Sequence, residues 1–153
     1  MLQDRLNAFS LSQDLGGVAF ATINGTDVYD NLIAGKNIGN PAGNLFRLAC
    51  EETMTSGGSS TLNLQLVTSA ASTLTTPTVL WETGALAYNH ADHLTLGEEF
   101  EMWMPPRTDY LQYTGVLFVV GTANLTAGIF SAKLVLNTEQ HPIHASGMNF
   151  SGL

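Results

Sequence analysis

Leu62-Asn63-Leu64-Gln65-Leu66 alternates apolar and polar side chains with a period of two. Successive side chains of a strand point to opposite faces, so this stretch reads as a half-buried strand with one wet face. The same signal recurs on either side of it. Upstream, Val18 to Ile23 forms a strand ended by the turn-prone pair Asn24-Gly25, Asp27 to Ile33 a second, and Leu45 to Glu52 a third. Thr55-Ser56-Gly57-Gly58-Ser59-Ser60 reads as a flexible connection. Downstream, Thr78 to Thr83 and Ala85 to Tyr88 are short strands. Phe100, Met102 and Met104 then alternate with Glu99, Glu101 and Trp103 until Pro105-Pro106 stops the run, because Pro cannot join a central ladder. Tyr110 to Val120 and Gly128 to Leu136 complete the set, and Phe118 to Val120, apolar on both faces, is expected to be central. Short strands with turns roughly every ten residues predict an all-β, antiparallel β-sandwich or barrel, not alternating β and α; a jelly roll is one topology among several.

The expected domain organisation is one sandwich over residues 18–137, a short N-terminal arm over 1–17, and an extended, polar C-terminal tail over 138–153. Leu2, Leu6 and Phe9 have helical spacing, and Gly16-Gly17 ends the segment. So short a helix is marginal alone in water and must dock on something. Leu2, Leu6 and Phe9 are therefore candidate docking residues toward a partner; the alternative is that they cap the open end of their own sandwich.

Charged residues make up 12% of the 153-residue chain, half the usual quarter, so Thr, Ser, Asn and Gln must supply most of the polar surface. The net charge of −8, with five scattered Lys and Arg, argues against nucleic acid, whose binding requires cations to release counterions from phosphates. It argues equally against an anionic membrane, and the strongest apolar run, Val116 to Val120, is too short to span a bilayer. The single cysteine, Cys50, lies in an apolar strand-like run and reads as a buried small hydrophobe.

Catalytic signatures are not found. There is no phosphate-cradling glycine loop, nucleophile elbow or CxxC, so no enzyme activity and no cofactor are expected. His90-Ala91-Asp92-His93 and His141-Pro142-Ile143-His144 are two His-x-x-His pairs that invite a metal, with Asp92, Glu98 or Glu99 as oxygen ligand. On a strand that spacing sends the two imidazoles to opposite faces, and solvated loop histidines are the expectation. A metal-dependent enzyme of the cupin kind would need one residue between its histidines. Glu98, Glu99 and Glu101 could be imagined as acid and base of a glycosidase but read as a wet sheet face. Trp81 and Trp103 read as core or interface anchors, with sugar stacking as the rival.

One longer pattern joins these pieces. Leu62-Asn63-Leu64-Gln65-Leu66-Val67-Thr68-Ser69-Ala70 leads to Thr76-Pro77-Thr78-Val79-Leu80 and then Glu82-Thr83-Gly84-Ala85-Leu86. Pro105-Pro106 precedes Tyr110-Leu111-Gln112-Tyr113, Thr126-Ala127-Gly128 opens the last strand, and Thr26-Asp27-Val28-Tyr29-Asp30 lies upstream. This pattern, over residues 26–137, resembles the jelly-roll capsid cement, or head decoration, proteins of tailed phages. The resemblance implies a structural virion protein on the outer surface of an icosahedral phage head, made in the host cytoplasm, that clamps neighbouring copies of the major capsid protein. It also implies a homo-oligomer, with a dimer favoured over a trimer. The competing readings are a carbohydrate- or receptor-binding β-sandwich module on a virion and a metal-dependent cupin-like enzyme.

Overall fold

The structure is a computed structural model and describes residues 8–32, 34, 44–90, 93–105 and 109–135. Every regular element among them is a β-strand: β1 (Ala8–Asp14), β2 (Ala21–Asn24), β3 (Tyr29–Asp30), β4 (Leu45–Ser56), β5 (Thr61–Ser69), β6 (Thr78–Glu82), β7 (Leu86–Ala87), β8 (Glu99–Trp103), β9 (Tyr113–Gly121) and β10 (Leu125–Val135). They form two antiparallel sheets. The first has the order β1-β10-β4-β8; the second has the order β2-β9-β5-β6, with β3 also paired to β9 and β7 to β5. The sheets face each other as a sandwich.

The alternation that defined the Leu62 strand is reproduced in burial. Leu62, Leu64 and Leu66 are buried in the core between the sheets, while Asn63 and Gln65 face outward. Strand β9 lies between β2 and β5, as its two apolar faces require. Val116, Phe118 and Val120 enter the main core, and Leu117 enters a second, smaller cluster with Val67 and Leu74, against which Val28 packs. That second cluster covers part of the outer face of the second sheet. Gly115 makes it possible, because a Cβ there would lie 2.7 Å from Leu74 Cδ1.

Two expectations are corrected. The first concerns the N-terminal arm. Ala8–Asp14 is the edge strand β1, not a helix, and Phe9 is fully buried against Phe46. Past the strand, the Leu15 amide donates to the Gly128 carbonyl (2.8 Å) and the Gly17 amide to the Leu125 carbonyl (3.0 Å). Among the described residues the sandwich therefore begins at Ala8, and Phe9 is a core residue instead of a docking one. Leu2 and Leu6, and the tail over 138–153, lie outside the described residues. Helical spacing misled here because β1 carries a bulge: its register against β10 shifts between Ser10 and Gln13, and Ser12 has a positive φ of 45°. The second correction concerns residues 55–60. Strand β4 runs on through Ser56, and Ser60 is buried with its hydroxyl donating to the Ala123 carbonyl (2.8 Å), so the connection is tied down.

Deleting residues 1–15 removes an edge strand together with Phe9 and Leu15. Burial of each such side chain contributes about 1.5–3 kcal/mol. The melting temperature is expected to fall by about 5 °C or more by calorimetry, given about 2–4 °C per kcal/mol for a chain of this size.

Candidate functional site

The outer face of the first sheet gathers the side chains that matter most. Phe46, Leu48, Ala132 and Leu134 point into the core, so their neighbours on β4 and β10 point out. Pairing then sets three rows across β10, β4 and β8. Val135, Leu45 and Trp103 form an apolar row; Lys133, Arg47 and Glu101 form the next; Ser131, Ala49 and Glu99 form the third. Residues directly opposite one another on a sheet face are the pairs that interact.

Arg47 is shared by two carboxylates of β8. One guanidinium nitrogen pairs with Glu99, and Nε lies 3.1 Å from Glu101 Oε1, within ion-pair range but outside hydrogen-bond geometry. Both glutamates are largely exposed, which holds each pair to roughly 1 kcal/mol or less. The bulge of β1 turns Ser12 onto this face. Its hydroxyl donates to Glu51 Oε2 (2.7 Å), the Ser131 hydroxyl donates to Glu51 Oε1 (2.6 Å), and the Ser12 amide donates to Ser131 Oγ (2.8 Å). Between these groups lies a groove of about 280 Å³ whose lining includes Leu11, Arg47, Glu51, Glu98, Glu99 and Lys133. Two of the three carboxylates imagined as acid and base, Glu99 and Glu101, are thus engaged by a guanidinium on an open sheet face.

Cys50 is buried at the groove, and its thiol donates to the Glu52 carbonyl (3.2 Å). Burial pushes it up to about 11, with the nearby charge of Glu98 adding to the effect. On the other sheet, the amides of Asn63 and Gln65 both donate to Glu82 Oε2 (2.8 and 2.9 Å) and hold that carboxyl below its ordinary range.

His90 and His93 differ from the strand-based expectation. The Leu94 amide donates to the His90 carbonyl (3.2 Å), and the two rings stack 5.2 Å apart at 7°. They are partly buried, and His93 meets the edge of Phe100 at 5.5 Å, so they extend an aromatic chain and are not solvated loop side chains. Among the described residues, no three His, Cys, Asp or Glu side chains are grouped to hold a metal ion. Asp92, His141 and His144 lie outside those residues. The two tryptophans part company: Trp81 packs against the core and stacks on Phe100, whereas Trp103 is 55% exposed.

A model of the Bbp16 family matches residues 11–134, from within β1 to within β10. The chain belongs to the Bbp16 family. The match takes in both sheets of the sandwich and the rows of the outer face up to Leu134, and the family name is that of a phage-related protein. A search of curated proteins finds no match.

The Cys50 thiol is expected to resist modification. With the thiol moved from 9.0 to about 11, the thiolate population at pH 8 falls roughly a hundredfold. Reaction with a disulfide reagent should therefore be at least that much slower in the native protein than in urea, followed by absorbance.

Proposed function

We propose that this protein is a capsid cement protein: a non-enzymatic component of the outer surface of an icosahedral phage head that binds the major capsid protein and holds neighbouring subunits together. Membership of a phage-related family over residues 11–134 is the observation that carries the reading. The fold agrees with it. Set the two-residue strands β3 and β7 aside, and eight strands remain whose pairs are β1 with β10, β2 with β9, β4 with β8 and β5 with β6. That nesting of first with last and second with second-last supports a jelly-roll connectivity. The surface is compatible as well. Ten acidic residues against two basic ones among those described suit a protein that covers a shell without engaging DNA.

A domain of this size offers a partner roughly 800 Å² at a standard interface, too little by itself to secure a pressurised shell. Several such contacts made at once give avidity that no single one has, which is why a homo-oligomer, with a dimer ahead of a trimer, forms part of the reading. Leu2 and Leu6 remain candidate docking residues. A carbohydrate- or receptor-binding module is the second reading; it draws on the exposed Trp103 alone, since Trp81 is committed to the core.

Quantitative mass spectrometry of purified source particles distinguishes these readings. Cement predicts a copy number comparable to that of the major capsid protein. A handful of copies points to a receptor-binding module, and absence from the particle ends both.

A further inference from the structure

We infer that the outer face of the first sheet, centred on Trp103, is the surface that docks on the shell, and that it fits a capsid-protein surface with an apolar recess rimmed by lysine or arginine. This rests on the cement reading above. Trp103 is 55% exposed at the end of β8, an edge strand, where a free-standing protein is expected to place charge or proline. It does not stand alone. Leu45 and Val135 continue the row across β4 and β10, over about 10 Å at the ordinary strand spacing. The protein deals differently with its other outer face, where Leu74 and Val28 cover the apolar Leu117 and Val67, and Asn63 and Gln65 are bonded to Glu82. Val79, opposite Val67, stays exposed on that second face, but the longer apolar row of the first sheet has no cover among the described residues, and that marks it for a partner. Trp is also the residue type most often found at the energetic centre of interfaces.

The charges beside the row define the partner. Among the described residues, Glu51, Glu98, Glu99 and Glu101 oppose only Arg47 and Lys133 on this face. Arg47 is already taken up by Glu99 and Glu101, so the described part of the face stays negative. Such a surface selects a partner with positive charge around an apolar centre and repels a second acidic surface of its own kind.

The test uses full-length protein and purified shells lacking it. Wild type is compared with Trp103→Ala, Trp103→Arg and Glu98→Lys at low and high salt, and the melting temperature of each variant is recorded. The expectation is that Trp103→Ala weakens binding roughly tenfold or more, that Trp103→Arg weakens it further, and that Glu98→Lys weakens it mainly at low salt, all with melting temperatures near that of wild type. Wild-type binding that Trp103→Ala and Glu98→Lys leave unchanged overturns the docking face while the cement reading stands. Failure of wild type itself to bind overturns the cement reading and this inference with it. Loss of self-association in Trp103→Ala, with shell binding intact, assigns the face to a second copy and likewise overturns it.

Discussion

Phe46 is where the two sheets are held together. Its ring lies 5.9 Å from Phe9 on edge strand β1, two strands away across β10, and 6.3 Å from Trp81 on the facing sheet. Trp81 stacks in turn on Phe100 of β8 at 5.0 Å, and His93 and His90 continue the line. One aromatic chain thus ties β1, β4, β6 and β8 across the sandwich, and Phe118 with Phe130 makes a second bridge from β9 to β10 at 6.1 Å. Such pairs contribute about 0.5–1.5 kcal/mol each beyond their burial. They also fix which way every other side chain of β4 and β8 points. Once Phe46 and Phe100 face inward, Leu45, Arg47, Glu99, Glu101 and Trp103 must face outward. The composition of the outer face follows from the core.

Much of this was legible in the sequence, for a definite reason. Strand existence is a local signal, and Leu62 to Leu66 or Glu99 to Trp103 announce it by alternation alone. The centrality of β9 was legible for the same reason, since two apolar faces need cover on both sides. Strand β1 was not, because the bulge at Ser12 breaks its period and Phe9 was counted into a helical spacing with Leu2 and Leu6. The histidine pair was misjudged because a strand template was applied to a segment outside the strands, where the two rings stack on one side.

The proposed docking face was invisible for a different reason. Val135, Leu45 and Trp103 are far apart in the chain, and only the register of β10 on β4 and of β4 on β8 makes them one row. Nothing in the periodicity of a single strand specifies that register across long connections. The exposure of Trp103 likewise depends on its being at the end of an edge strand, which is a property of sheet order. The fold is written locally, whereas the candidate site is written in pairing. The chemistry of the described side chains is part of the same account. Carboxylates stand on an open face beside a guanidinium, and the cysteine is sealed and held protonated. What such a surface offers a partner is shape and charge, which is what a clamp on a shell uses.

The most direct measurement is a high-resolution cryo-electron microscopy reconstruction of the source particle into which the sandwich is fitted. The account predicts copies outside the shell in register with the capsid lattice, with Trp103 and the glutamates of β4 and β8 turned toward the major capsid protein. Density for the sandwich with that face turned to solvent, or a lattice that carries no such density, would contradict it.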